Sequence, residues 1–560
     1  MSYDPKNPLI VQSDRTVLLE TANDDFEEAR DVLSIFAELV KSPEHIHTYR
    51  ITPLSLWNAA ALGYSSDEVE AHLRRFTKYP IPDSLLTDIH DFMARYGRLK
   101  LEMDGETLYL TSRDAVLMEE VTRLQKLQPF IQGPMEGGAV TRVPVKRDER
   151  GFVKSALIRV GYPVEDLAGY VPGEPYDVGL RPETVAGEEF TLRDYQKEAV
   201  DAFWAGGGVH GGSGTIVLPC GSGKTIVGLG AMNAVGAHTL ILTTNVTALR
   251  QWRDELIDKT DIDPEDIGEY SGERKEIKPV TITTYQILTY RRSKEDDFVH
   301  FHLFNDRNWG LIIYDEVHLL PAPVFRAVAN LQSRRRLGLT ATLVREDGKE
   351  EEVFSLIGPK KYDVPWRVLE KQGFIASATC SEIRVPFESE DLRIEYALAE
   401  PRQKFRLAAT NPGKLPVLQQ ILSQHPGDQV LIIGQYLDQL DEISELAEAP
   451  IITGQTKQAD REVLYEQFRS GEIPVLVVSK VANFAVDLPD ANVAIQVSGT
   501  FGSRQEEAQR LGRILRPKKD ANDAHFYSIV TRDSTEQEYS NKRQLFLTEQ
   551  GYRYRIETME

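Results

Sequence analysis

At 560 residues the chain is too long for one hydrophobic core, and three or four domains are expected. Its 41% apolar, 9% aromatic and 27% charged residues suit a globular cytoplasmic protein, with no membrane-length apolar run and no signal-like opening in MSYDPKNPLIVQSDR. A formal charge of −21 argues against coating nucleic acid by bulk charge, though not against a local basic track, and the two cysteines, Cys220 and Cys380, lack the C-x-x-C partners of a zinc site.

The first third reads as helices followed by strands. Thr52-Pro53 before LSLWNAAALG fits an N-cap with proline in the first turn. Ser66 opens DEVEAHLRRF, and Asp83 opens SLLTDIHDFMARYG with Gly97 as the stop. RLKLEMDGETLYLTS alternates apolar and polar residues around Asp104-Gly105, a hairpin signal. Helices and then a two-stranded ribbon resemble a winged helix; a packing module that never touches nucleic acid fits the same pattern. The Pro/Gly-rich stretch near 128–148 marks a boundary, after which TRVPV predicts a strand and RGFVKSALIRVG a helix. A second linker, GYVPGEPYDVGLRPETVAGEEF, precedes a change of pattern.

From Phe190 onward, short β-branched strands alternate with helical segments, the mark of a parallel α/β sheet. TIVLP, TLILTT, VTITT, LIIYDE and RLGLTA form one set; QVLIIG, APIIT, VLVVS, VAIQVS and AHFYSIV form a second. Two similar α/β lobes are expected, preceded by an α+β region. GGGVHGGSG, residues 206–214, precedes a strand and so lacks the strand-to-helix geometry of a phosphate cradle; it reads as a loop.

TIVLPCGSGKTIVGLG carries the clearest chemistry. A strand runs into Gly221, Ser222, Gly223, Lys224 and Thr225 and then into a helix. Such a loop turns amides toward phosphate oxygens, with Lys224 reaching the β/γ-phosphates and Thr225 ligating Mg²⁺. The strict pattern asks for glycine where Leu218 stands. LIIYDEVH ends a strand in Asp315 and Glu316, the first suited to Mg²⁺ and the second to the attacking water. In QRLGRILRP, Gln509, Gly512, Arg513 and Arg516 share one helix face, so both arginines could meet a γ-phosphate across a cleft. A solvated basic helix is the alternative for that segment alone.

The order FTLRDYQ, GSGKT, TTNVTALRQW, TTYQ, DEVH, TAT and QRLGRILR resembles a superfamily 2 helicase. DEVH followed by LTATLVRED resembles the XPB family, bacterial members above all, over nearly the whole chain. The resemblance implies two RecA-like lobes, an ATP-dependent 3′–5′ DNA helicase or DNA-dependent ATPase, ATP and Mg²⁺ as cofactors, and single-stranded, forked or damaged DNA as partner. It places Arg193 and Gln196 at the adenine, Asp487 at the closing cleft, and Thr340 and Thr342 between hydrolysis and DNA. Thr244, Thr284 and Lys480 would meet phosphates, and Arg345-Glu346-Asp347 matches a motif associated with duplex opening. A turn held by local ion pairs is the other reading of those charges.

The implied domains are 1–127, winged-helix-like; 128–186, resembling a damage-recognition domain; 187–366, the first lobe; and 367–560, the second. A short thumb-like insertion near 395–414 carries Arg402, Lys404, Arg406 and Lys414 around Phe405 as a phosphate-gripping patch. In NFAVDLP, Ala485 stands where the family often has a hydroxyl. A monomer working at the nucleoid is expected, with a nuclease or repair partner conceivable. A double-strand translocase without strand separation is the rival enzyme. A nucleotide-switched scaffold is the rival outside enzymes, and an intact Glu316 argues against it.

Overall fold

The computed structural model describes residues 3–41, 45–219, 221–291, 298–332, 334–341, 349–364, 369, 377–479, 491–498, 523–549 and 553–559. It divides into two compact units, one holding almost all residues up to Val364 and the other holding Pro365–Glu560. No helix among the described residues is long and apolar enough to cross a membrane.

In the first unit, helix Pro53–Ala61 starts at its expected cap, with Thr52 Oγ1 accepting from Ser55 N at 3.0 Å. Helix Ser66–Phe76 has its cap one residue earlier than Ser66, at Ser65, where Glu68 Oε2 accepts from Ser65 N at 2.7 Å. Helix Asp83–Arg95 follows, and Gly97 takes a φ of +78°. The hairpin pairs Leu99–Asp104 with Thr107–Ser112 antiparallel, and Thr141–Val145 adds to its second strand. Val164–Asp166 joins the other edge, parallel to the first strand. This four-stranded sheet therefore draws strands from both sides of residue 128, where the sequence suggests a boundary. Its apolar face buries Leu99, Leu101, Leu108, Leu110 and Val143 against Val153 and Leu157 of helix Arg150–Ile158.

A charged cluster lies under that helix. Asp166 receives Arg150 Nε at 2.9 Å and Lys154 Nζ at 2.8 Å, and all three side chains are at most 8% exposed. The Tyr170 ring then has the guanidinium carbons of Arg150, Arg335 and Arg336 at 5.7, 5.6 and 5.9 Å from its centre. Arg336 is fully buried and donates to the carbonyls of Leu356 and Gln332, each at 2.8 Å.

The first lobe is a seven-stranded sheet of β1 (Ser213–Val217), β2 (Thr239–Thr243), β3 (Ile267–Tyr270), β4 (Val280–Thr284), β5 (Leu311–Asp315), β6 (Arg335–Thr340) and β7 (Lys360–Asp363). Their spatial order is β3-β4-β2-β5-β6-β1-β7, with every pair parallel. β5 explains why the sequence reads as an unbroken apolar run: Leu311, Ile312, Ile313 and Tyr314 are all fully buried, as a strand covered on both faces requires. Each such aliphatic side chain contributes about 1.5–3 kcal/mol. The helices that bear on the site are α1 (Asp194–Trp204), α2 (Lys224–Val235), α3 (Val246–Lys259) and the short α4 (Tyr285–Leu288).

The second lobe repeats the plan. β8 (Ser377–Val385), β9 (Val430–Gly434), β10 (Ile451–Ile452), β11 (Val475–Ser479), β12 (Val493–Gln496), β13 (Asp523–Thr531) and β14 (Arg553–Thr558) form an all-parallel sheet ordered β10-β11-β9-β12-β13-β8-β14. Its helices include α5 (Glu390–Leu398), α6 (Pro401–Ala409), α7 (Lys414–Gln424) and α8 (Thr535–Glu549). The two sheets carry all ten expected strands. Unforeseen were β3, β7, β8 and β14. IGEY, KKYD and RYRIET are short polar edge strands; SATCSEIRV sits inside the sheet yet reads as polar.

The phosphate-gripping patch expected near the thumb needs correcting. Lys414 is 1% exposed and donates to both Glu536 carboxylate oxygens, at 2.7 and 2.8 Å, and to the Val497 carbonyl at 2.8 Å. Phe405 is likewise buried, edge-on to Tyr539. Arg406 is exposed but paired with Asp438 at 2.7 Å, and Lys404 lies over Tyr396. Apolar packing of α6 and α7 on the lobe, invisible in a count of basic residues, turns part of the patch inward.

Candidate nucleotide site of the first lobe

Between β1 and α2 the chain makes one tight loop. Gly221 and Gly223 have φ of +78° and +82°, a region that glycine enters without a steric cost. Leu218, in the place of the expected glycine, is fully buried, and its N–H donates to the Thr340 carbonyl at 2.9 Å. It belongs to the core, tying β1 to the end of β6. Ser222 is buried, its hydroxyl donating to the Pro219 carbonyl at 2.6 Å. Helix α2 begins at Lys224, so its positive dipole end faces the loop, with Thr225 one residue further on.

Gln196 lies beneath this loop. A Cβ on Gly223 would stand 2.7 Å from Gln196 Nε2, so residue 223 has room only for glycine. Gln196 Oε1 accepts from Arg193 N at 3.0 Å, and both Arg193 Nη1 and Gln196 Nε2 reach the Tyr195 hydroxyl, at 3.2 and 3.4 Å. The two residues expected at the adenine thus sit together at the start of α1, against the phosphate loop.

Asp315 ends β5 and Glu316 turns the chain with a left-handed φ of +49°, unusual for a side chain with a Cβ. That turn brings Glu316 Oε1 to 3.4 Å from Lys224 Nζ and Oε2 to 3.5 Å from His318 Nδ1. His318 Nδ1 also shares a 2.5 Å hydrogen bond with Thr340 Oγ1, so the end of β6 touches the DEVH segment directly. Asp315 Oδ2 accepts from the Trp252 indole N–H at 3.0 Å, and its carbonyl accepts from the Tyr285 hydroxyl at 2.8 Å.

The two carboxyls respond differently to this setting. Burial and the neighbouring Glu316 charge push Asp315 up to about 6, against the indole of Trp252 and the ammonium of Lys224. Burial also opposes the Glu316 charge, but Lys224 and His318 outweigh it and hold the carboxyl below its ordinary value. Lys224 thus serves two adjacent carboxylates, with His318 beside Glu316 alone, and Asp315 is left with the least charge compensation.

A relative from Mycobacterium tuberculosis named DNA 3'-5' helicase XPB is 55% identical over 550 residues, which cover 98% of this chain and 97% of the relative. The chain belongs to the XPB family. A Kineococcus radiotolerans protein of the same name is 54% identical over 550 residues, covering 98% of this chain and 96% of that one. An XPB relative from Enterocytozoon bieneusi, named General transcription and DNA repair factor IIH helicase/translocase subunit XPB, is 34% identical, covering 98% and 92%. The ERCC3/RAD25/XPB C-terminal helicase model matches residues 369–560. The type III restriction enzyme res subunit model matches 189–345, and a helicase conserved C-terminal domain model matches 9–133.

Within this XPB chain, the structure brings together Arg193, Gln196, Gly221, Ser222, Gly223, Lys224, Thr225, Asp315, Glu316 and Thr340 around the C-terminal edge of one sheet. Thr244 lies half-buried just beyond β2. Thr284 is buried, its Oγ1 accepting from Ile287 N at 3.4 Å as the cap of α4. Gln509, Arg513, Arg516, Asp487, Lys480, Thr342, Arg345, Glu346 and Asp347 lie outside the described residues. Sequence reading missed Trp252, Tyr285 and His318. All three stand in quoted motifs, but a donor 63 residues from its acceptor leaves no periodic signal.

Proposed function

We propose that this chain is an ATP-dependent 3′–5′ DNA helicase, a DNA-dependent ATPase that opens duplex DNA in repair or transcription-linked processes. The carrying observation is the Lys224–Glu316–Asp315 cluster against a glycine-rich loop, in a chain that matches named XPB helicases from end to end. The triphosphate would lie on the amides of Gly221–Gly223 and the N-terminus of α2. Arg193 and Gln196 would hold the adenine. Lys224 would exchange Glu316 for phosphate oxygens, and the freed carboxylate would orient the attacking water and take its proton.

Thr225 and Asp315 fit Mg²⁺: both are hard oxygen donors, and the paired carboxylates carry more charge than Lys224 offsets. Bound there, the ion would offset charge on the phosphates. From the second lobe, 367–560, Gln509, Arg513 and Arg516 would meet the γ-phosphate and Asp487 would close the cleft. On the first lobe, 187–366, Thr244, Thr284, Thr340 and Thr342 would serve the DNA track, with Lys480 opposite. Arg345, Glu346 and Asp347 would part the strands. Segments 1–127 and 128–186 would present the DNA, and the chain would work as a monomer.

Lys224→Ala should abolish DNA-stimulated ATP turnover, and forked DNA should be unwound only by the parent. Turnover that survives Lys224→Ala, or no turnover with single-stranded DNA, duplex, fork or RNA at two salt concentrations, would sink the reading. The name helicase/translocase borne by the Enterocytozoon relative favours one alternative, motion along duplex DNA without separation. Triplex displacement without fork unwinding would establish that instead.

A further inference from the structure

Two donors that the motor chemistry has not used converge on Asp315. Trp252 is 1% exposed, and its indole N–H can only donate, so it binds the carboxylate oxygen as acceptor. The far edge of the same ring lies on α2. A Cβ on Gly228 would stand 2.4 Å from its Cη2 and 3.0 Å from its Cζ3. Trp252 therefore fills the space between the helix that begins with Lys224 and the carboxylate expected to ligate the metal. Tyr285 makes the companion bond, its hydroxyl donating to the Asp315 carbonyl at 2.8 Å.

Both donors start from the expected DNA track. Trp252 lies about two turns, or ~10 Å, along α3 from the end adjoining Thr244. Tyr285 directly follows Thr284. Each segment thus begins at a threonine expected to face DNA and ends in a hydrogen bond to the same residue, one to its side chain and one to its backbone. Next in the chain is Glu316 in its left-handed conformation, so a shift of the Asp315 peptide is passed to the catalytic base.

We infer that Trp252 is a positioning residue, holding the Asp315 carboxylate in place and transmitting DNA occupancy through α3 to the nucleotide site. This rests on the helicase reading. Coupling of this kind is reciprocal: DNA that tightens nucleotide binding must itself be held more tightly when nucleotide is bound.

The test uses Trp252→Phe in the full chain, which keeps an aromatic ring and removes the donor. Equilibrium binding of a fluorescent, non-hydrolysable ATP analogue is measured over a series of Mg²⁺ concentrations, with and without an oligo-dT strand. In the parent, the strand should tighten analogue binding. In the variant, half-saturating Mg²⁺ should rise about 10- to 150-fold, the scale of a lost hydrogen bond to a charged group. The tightening by oligo-dT should fall toward onefold, with oligo-dT affinity in the absence of nucleotide unchanged and a cooperative melting transition retained at a lower temperature. Unchanged Mg²⁺ dependence and unchanged tightening would overturn the inference, as would a parent without tightening. Gly228→Ala, which pushes the indole from the other side, should reproduce the shift and decides the matter should Trp252→Phe not fold. Lys224→Ala separates the two levels: if it still turns over ATP, the nucleotide-site reading fails; if it is dead while Trp252→Phe is indistinguishable from the parent, only the positioning role fails.

Discussion

Glu316 holds a backbone conformation that costs a residue with a Cβ roughly 1–3 kcal/mol, and the return is the direction of its carboxylate, toward Lys224 and His318. Glu316→Gln keeps the shape and removes the proposed base. Nucleotide binding should persist while kcat falls by about 10²–10⁴, checked by analogue binding beside steady-state turnover. The loop glycines, Lys224 and the acidic strand end were legible because each is a residue type demanded by phosphate or water chemistry at a fixed spacing. The partners that tune them were not. Trp252, Tyr285 and His318 reach the site by folding, and nothing in an indole or a phenol announces which distant carboxylate it will meet. Leu218, where the strict pattern asks for glycine, proves to be a core contact with β6, which the pattern alone does not reveal.

Apolar periodicity made the main strands of both sheets readable, and polar strands escaped it. β8 is the instructive case. Glu382 points into the lobe with no exposed surface, yet accepts from Ser540 at 2.5 Å, Tyr554 at 2.9 Å and Arg384 at 2.6 Å. A strand whose charge is satisfied internally looks in sequence like a loop. The thumb-like helices show the same effect with the opposite sign. Lys414 reads as a surface cation and is the inner half of a buried pair with Glu536 that grips the ends of β12 and β13. Lys414→Ala should therefore cost the second lobe about 3–5 kcal/mol, the usual consequence of stranding a buried charge. Arg406→Ala, which breaks an exposed pair, should cost about 0–1 kcal/mol. Chemical denaturation of the two variants distinguishes them, and equal losses would contradict the burial argument.

Within the first unit, the module around residues 141–166 is held together by charge as well as by apolar packing. Burial works to raise the Asp166 carboxyl, but Arg150 and Lys154 prevail and hold it far below the ordinary carboxylate range. Asp166→Asn should lower stability by about 3–5 kcal/mol at neutral pH. The sign with pH follows from the depressed value: the stabilisation is complete above ~4, where the unfolded carboxyl is ionised, and is lost as the pH falls below that. The melting temperatures of parent and variant should therefore begin to converge below pH ~4 and meet only as the pH nears the far lower folded-state value. A gap that stays constant would show that packing, and not charge, holds the module together.

The position of β1 between β6 and β7 has a consequence for biosynthesis. The strand that ends in the phosphate loop pairs with β6 and β7, both translated more than a hundred residues later. At ~5–20 residues per second, a nascent chain carries that strand without either neighbour for roughly 6–24 s. The strand that leads into the proposed nucleotide loop is thus exposed to misassembly while the ribosome is still at work, and its pairing is complete only when Asp363 has emerged.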